Sequence, residues 1–222
     1  PRGTLHTRYV QVAYDELRRL GLDAETEGAY RQRFPDSPGL LVVTNILPGG
    51  AADGVLRVGD ILLSVNGEAL ADFVSLEAVL DDRVGGEVTI GIERNGEQLE
   101  HRLAVADLHA ITPDEYLRFG NAVVHELSYQ QGWHVNKPLG GVYVADPGYL
   151  LSTAGLPAYS IIVAIGGKPV ANLDEFEQAL NELADGQRTA VRFYTLDNPT
   201  NVQQRILRMD RRWFPAQRCK LN

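Results

Sequence analysis

Cysteine is nearly missing from this 222-residue chain: Cys219 is the only one, so no intrachain disulfide can form. Zinc sites built on paired Cys-x-x-Cys motifs are excluded with it. A disulfide-poor chain says little about compartment, since such proteins occur on both sides of a membrane. Positive charge is in the minority, with 21 Lys and Arg against 29 Asp and Glu, a net charge of −8. A nucleic-acid footprint or an affinity for anionic membranes needs the opposite balance. No run comes near the roughly 20 apolar residues that span a bilayer, and no signal peptide opens the chain. The start at Pro1-Arg2-Gly3-Thr4 reads as the edge of a piece cut from something longer.

Catalytic signatures are missing too. There is no Gly-x-Ser-x-Gly nucleophile turn and no His-Glu-x-x-His zinc motif. His6, His101, His109, His125 and His134 are scattered, without metal spacing, and no metal site is expected. Asp81-Asp82 and Asp114-Glu115 read as solvated helix-end residues rather than acid/base dyads. Gly85-Gly86 and Gly140-Gly141 lack the following helix with Lys-Ser/Thr that a phosphate loop needs. No cofactor is expected, and this chain alone should turn over no substrate.

What is present is a repeat. Residues 59–82, GDILLSVNGEALADFVSLEAVLDD, align without a gap to residues 159–182, YSIIVAIGGKPVANLDEFEQALNE. Ile61, Gly67, Ala71, Glu77 and Leu80 recur one hundred positions on as Ile161, Gly167, Ala171, Glu177 and Leu180. Apolar residues also face apolar residues at 62/162, 63/163, 65/165, 70/170, 73/173, 76/176 and 79/179. Each copy spells strand, tight turn, short strand, amphipathic helix. One such unit cannot close a core, but two domains of about a hundred residues each can.

Along the first half, residues 4–12 read as a strand and 14–20 as a helix with Leu17 and Leu20 on one face, ended by Gly21. Residues 23–34 read as a second short helix or a solvated loop. A strand at 40–47 follows, then a Gly59-Asp60 turn and a strand at 61–65 that ends at Asn66-Gly67. A helix at 75–82 carries the stripe Leu76, Val79, Leu80, and strands 88–93 and 99–105 form a hairpin through Asn95-Gly96. The boundary falls at the polar stretch 107–113. The second half repeats the order: strand 122–127, helix 129–135, strand 141–145, the turn Asp146-Pro147-Gly148, and strands 190–196 and 202–209. Tyr149-Leu150-Leu151 reads as buried packing or, alternatively, an exposed apolar loop. Trp213-Phe214 is expected to pack back on the second domain ahead of a tail. The fold expected is mainly β with short helices, five to six short strands per domain. The domains are 1–108 and 109–213, with a tail at 214–222.

This order of elements resembles the PDZ domain in its bacterial-type permutation. Residues 47–70, LPGGAADGVLRVGDILLSVNGEAL, are similar to the PDZ signature of HtrA/Deg serine proteases, and Arg2-Gly3-Thr4-Leu5 resembles the start of their carboxylate-binding loop. DELRRLGL (15–22), DLHAITPD (107–114), LSYQQ (127–131) and VADPGYLL (144–151) resemble the duplicated-protease branch, of the pro-apoptotic nuclear and plastid Deg types. The resemblance implies two PDZ-like domains that form the non-catalytic tandem PDZ region of a serine endopeptidase. The Gly-Asn-Ser-Gly-Gly-type nucleophile turn of that family occurs nowhere in the chain.

It further implies that peptide C-termini or extended substrate segments add as a strand beside the first strand, the carboxylate resting on a nest of backbone N–H groups. In domain one the site would be Arg2, Gly3, Thr4, Leu5, His6, Thr7 and Arg8, faced by Leu76, Val79 and Leu80. In domain two it would be Gly120, Asn121, Ala122 and Val123, faced by Phe176, Ala179 and Leu180. The family usually has apolar-Gly-apolar where this chain has Leu5-His6-Thr7. Further expected partners are the chain's own protease domain and a second copy in a homo-oligomer. The compartment would be extracytoplasmic in a bacterium, and nucleus or plastid in a eukaryote. A stand-alone PDZ adaptor unconnected to a protease is the alternative.

Overall fold

The computed structural model describes residues 1–137, 139–213 and 215–220. It divides into two compact units, 1–111 and 112–222. Unit one contains β1 (Gly3–Thr4), β2 (Thr7–Ala13), α1 (Tyr14–Arg19), α2 (Ala24–Arg33), β3 (Gly39–Ile46), β4 (Ile61–Val65) and β5 (Glu68–Ala69). Then come α3 (Phe73–Asp82), β6 (Glu87–Arg94), β7 (Glu97–Ala104) and β8 (Ala106–Asp107). Its main sheet runs β2-β3-β4-β6-β7, all antiparallel, with β5 on β4, while β1 and β8 pair separately.

Unit two contains β9 (Glu115–Phe119), β10 (Ala122–Leu127), α4 (Tyr129–Val135), β11 (Gly140–Asp146), α5 (Gly148–Ala154), β12 (Ser160–Ile165) and β13 (Lys168–Pro169). It closes with α6 (Leu173–Asn181), β14 (Arg188–Thr195), β15 (Asn198–Arg208) and β16 (Gln217–Lys220). Here one sheet runs β15-β14-β12-β11-β10-β9-β16, with β13 on β12. Both units are mainly β with short helices, as the turn and strand pattern predicts.

Local chemistry sets these boundaries. Asp72 and Asn172 cap α3 and α6, each accepting from the N–H three residues on, so the hundred-residue echo extends to the caps. Helix α1 stops because Leu22 N–H returns to the Leu17 carbonyl and Gly21 takes a left-handed φ of 95°. Leu17 is buried, but Leu20, at the cap, is exposed rather than sharing its face. Asp23 caps α2 by accepting from Glu25 and Thr26, which turns the ambiguous 23–34 stretch into a helix. Asn66-Gly67 and Asn95-Gly96 both take positive φ at both residues, the two-residue turn that matches strand twist. Gly166-Gly167 does the same, and Tyr159 holds φ 65° where Gly59 holds 98°. The second copy thus lost turn identities and kept turn conformations.

In unit one, α3 covers one sheet face over Leu41, Val43, Leu62, Val65 and Ile90, while α1 and α2 cover the other over Leu40, Val42, Ile61 and Leu63. Unit two has its main core under α6, around Phe119, Val124, Val144, Phe176 and Phe193. Three expectations differ from the structure. The strand expected at 4–12 is broken at Leu5-His6, where His6 adopts φ 55°. Leu150 and Leu151, by contrast, are buried as the first of their two readings has it, inside α5, a helix that follows the Asp-Pro-Gly turn, while Tyr149 is exposed. Residues 217–220, expected to trail as a tail, form β16, held by pairing with β9 that only tertiary contact reveals. Trp213, expected to pack back, is 69% exposed, and Phe214 lies outside the described residues. No helix among the described residues is long and apolar enough to cross a membrane.

Candidate peptide-binding grooves

Strand β2 pairs with β3 along its whole length, from Thr7↔Ile46 to Ala13↔Gly39, with a bulge between Arg8 and Tyr9. On its other edge no described strand pairs with it, so β2 ends the sheet. An unpaired edge is a row of N–H and C=O groups able to take another extended segment.

The chain enters β2 through Leu5 and His6. Leu5 is buried in the core with Leu76 and Leu80, and Val79 packs against the same cluster. These helix residues therefore belong to the core rather than to an open pocket. His6 supplies the left-handed residue where the family pattern has glycine, a conformation that costs an L-residue about 1–2 kcal/mol. Contacts offset that strain. The His6 carbonyl accepts from Leu47 N–H at 2.9 Å, and Nδ1 accepts from Ala51 N–H at 3.4 Å. Its side chain lies so close to Gly50 that a Cβ there would sit 2.4 Å from His6 Cβ. Burial also pushes the imidazole pKa down, which favours the neutral ring that can accept.

Ahead of His6, the loop is bound to the end of α3. Gly3 N–H donates to Asp81 Oδ1 at 2.6 Å, Arg2 N–H to Asp107 Oδ1 at 3.4 Å, and His6 N–H to Thr4 Oγ1 at 3.0 Å. The Arg2 guanidinium pairs with Glu77 at 3.3 Å and Asp81 at 3.9 Å. Only glycine fits at position 3, because a Cβ would lie 2.1 Å from the Leu80 carbonyl oxygen. Thr7 Oγ1 donates to the Leu5 carbonyl, and Arg8 is exposed. Sequence reasoning missed Glu77, Asp81 and Asp107. The i, i+4 spacing of Glu77 and Asp81, which puts both on one helix face, was the available signal.

Unit two builds the matching region differently. Gly120 (φ 56°) and Asn121 (φ 59°) make a two-residue turn that folds β9 back along β10, pairing Phe119↔Ala122, Arg118↔Val123 and Leu117↔Val124. Strand β10 thus lies between β11 and β9, and the edge that is open on β2 is taken here. Phe119 enters the core edge-on against Phe176 of α6, ring centroids 5.4 Å apart. Ala122, Ala179 and Leu180 are buried beside it, and Val123 is half-buried. The Gly120 carbonyl accepts from the N–H groups of Tyr149 and Leu150 at 3.0 and 3.1 Å. On the far side of β9, β16 pairs from Gln217↔Arg118 to Lys220↔Glu115. Arg218 joins three elements, reaching Glu115 (2.6 Å), Asp174 (2.5 Å) and Glu177 (2.9 Å). Those carboxylates raise its pKa further.

Among the described residues no group of three or more His, Cys, Asp or Glu is placed to hold a metal. The His125 ring lies tilted against Tyr143, centroids 5.0 Å apart.

Comparison with known proteins agrees with this architecture. The PDZ domain family matches residues 17–93, and the PDZ-like domain family matches residues 110–186. Protease Do-like 7 of Arabidopsis thaliana is 43% identical over 194 residues, 87% of this chain and 18% of that protein. Pro-apoptotic serine protease NMA111 of Ajellomyces capsulatus is 38% identical over 214 residues, 96% of this chain and 21% of that protein. The chain thus spans about a fifth of the length of these relatives. A solved HtrA3 PDZ domain, bound to a phage-derived ligand, covers 46% of this chain and 84% of its own at 18% identity, with a TM-score of 0.35. This chain belongs to the PDZ family twice over, as a tandem pair of PDZ domains of the HtrA/Deg kind.

Proposed function

We propose that this chain is the non-catalytic, segment-binding region of an HtrA-type serine endopeptidase. Unit one recruits extended substrate segments by strand addition to β2, and unit two serves in regulation of the protease domain or in assembly. The observation that carries the reading is the contrast of edges: β2 ends its sheet, whereas β10 is paired on both sides. Strand addition draws its affinity from main-chain hydrogen bonds and needs such an edge. The similarity to a Do-like protease and to a pro-apoptotic serine protease supports the protease context. Edge strand β2 takes the segment, while Leu76, Val79 and Leu80 support it from the core.

Hydrogen exchange read by mass spectrometry tests this, with a pool of unstructured twelve-residue peptides as the probe. Residues 7–13 should gain protection when the pool is added, and residues 122–127 should not change. Protection at 122–127, or none at 7–13, would refute the assignment.

A further inference from the structure

Capture of a peptide C-terminus requires backbone N–H groups that are free to donate to a carboxylate. Each N–H is a single donor. In the loop that leads into β2, three such donors are already used. Arg2 N–H is held by Asp107 Oδ1, Gly3 N–H by Asp81 Oδ1 and His6 N–H by Thr4 Oγ1. Thr4 is itself fixed in the β1–β8 pair, opposite Ala106. Two of the three acceptors are carboxylates, so the loop already carries the anions it would otherwise recruit.

Charge acts in the same direction. The groups that converge on the loop are Glu77, Asp81 and Asp107 against Arg2 and the Pro1 ammonium, three negative and two positive, a local sum of −1. The Arg2 guanidinium, which could have greeted a terminal carboxylate, is paired with Glu77 and Asp81. A free C-terminus arriving here would meet like charge and no vacant donor at these three positions.

The open edge of β2 remains beyond this loop, from Thr7 to Ala13. Resting on the segment-binding reading above, we infer that unit one selects internal extended segments of its partners and does not recognise a free C-terminus. The segment lies along β2 by main-chain pairing and continues past the loop in either direction. The ligand class is an unfolded or looped region within a chain, with no requirement for a terminus.

The test uses the whole chain and the peptides from the pool that protect residues 7–13. Each is made in three forms: free acid, C-terminal amide, and extended by four further residues. Fluorescence anisotropy should give dissociation constants within about threefold across the forms. A tenfold or greater loss on amidation or extension would overturn this inference while leaving segment binding intact. Failure of every form to bind would overturn the segment-binding reading, and this inference with it. A gain-of-function arm follows from the geometry. Thr4→Val frees the His6 donor without changing shape, and Asp81→Asn keeps an acceptor for Gly3 while removing a charge. The double variant should acquire a preference for the free acid of at least tenfold. A double variant that still treats the forms alike would overturn the assignment of these groups as the loop's own occupants.

Discussion

Asp60 and Arg94 form the most deeply buried ion pair of unit one, and its removal can be worked through quantitatively. The Asp60 side chain is 1% exposed. Its two oxygens receive Arg94 Nε and Nη2 at 2.7 Å each, and Oδ2 also accepts from Arg57 N–H at 2.7 Å. Arg94 Nη2 reaches on to the Val55 carbonyl at 3.2 Å. The pair thereby fixes the turn from Val55 to Asp60 that feeds β4. Arg94→Thr leaves a buried carboxylate with one N–H donor, which costs about 3–5 kcal/mol. For a unit of this size each kcal/mol lowers the midpoint by about 4 °C, so the unit-one transition should fall by about 12–20 °C.

Unit two shows what a neutral solution looks like: Ser160 stands at the Asp60 position, opposite Thr195, and its hydroxyl donates to the Pro157 carbonyl. The double substitution D60S/R94T removes the orphaned charge as well as its partner. Its cost should be less than half that of R94T alone, since a buried pair is worth little against a neutral replacement and much against a broken one. Thermal melts by far-UV circular dichroism measure the shifts, and hydrogen exchange locates them in residues 1–111. Indole fluorescence is blind here, because Trp133 and Trp213 are the only tryptophans and both lie in unit two. A single variant within about 1 kcal/mol of the parent, or a double variant worse than the single, would refute the reasoning.

Two further outcomes are expected. Glu27, 7% exposed and held first by Arg18 and then by Arg31, has its pKa lowered from 4.5 to about 2. Its contribution is therefore present above about pH 4.5 and lost as pH falls toward 2, and is about 1–2 kcal/mol once the half-exposed guanidiniums are allowed for. Urea midpoints between pH 6 and pH 2.5 should fall less steeply for Glu27→Gln than for the parent, and identical slopes would contradict this. Phe119→Ala removes the ring that fixes β9 against Phe176 and should cost unit two about 3–5 kcal/mol in urea titrations followed by Trp133 fluorescence. Faster exchange at residues 122–124 should accompany it, and unchanged exchange there would argue that β9 is held by β16 alone.

Much of the fold was legible because local signals fixed it. The expected strands 61–65 and 122–127 and the helix 129–135 coincide with β4, β10 and α4. In each, apolar periodicity is bounded by a turn or a cap within a few residues. The elements that escaped carry weaker local signals or lean on partners distant in sequence. Residues 115–119 alternate as a strand should, with Leu117 and Phe119 buried and Arg118 exposed, but β9 is bracketed by β10, across a Gly120-Asn121 turn with a weaker signal than Asn-Gly, and by β16, about a hundred positions on. β16 itself has too little apolar content to be read without that partner. In the candidate site, Arg2–Arg8 is where the chain enters the edge strand; the spacing of Glu77 and Asp81 marks one helix face, but no sequence signal brings that face or Asp107 to the loop. Nor does His6 announce a left-handed backbone, because the residue that usually marks one is glycine.

The divergence of the two edges traces to one or two residues at the entry to the first long strand. In unit one a single left-handed residue, His6, turns the chain so that β1 leaves β2 and lies over the end of α3 beside β8. In unit two, two consecutive left-handed residues, Gly120 and Asn121, fold β9 directly onto β10. That strand is bound by the same kind of main-chain pairing a ligand would make, and Phe119 fills the core beside Phe176 as an apolar side chain of a ligand would. The energetics then favour the internal strand decisively. A peptide from solution loses translational and rotational freedom worth roughly 4–15 kcal/mol at the standard state, and a tethered strand does not. Short tethers correspond to effective concentrations of about millimolar, far above those of free segments that bind such edges weakly. A segment competing for β10 must therefore outbid β9, β16 and the Arg218 network together, whereas one approaching β2 has no strand to displace. Two copies of one fold can in this way divide labour, the difference beginning with how many residues cross into φ > 0 before the strand begins.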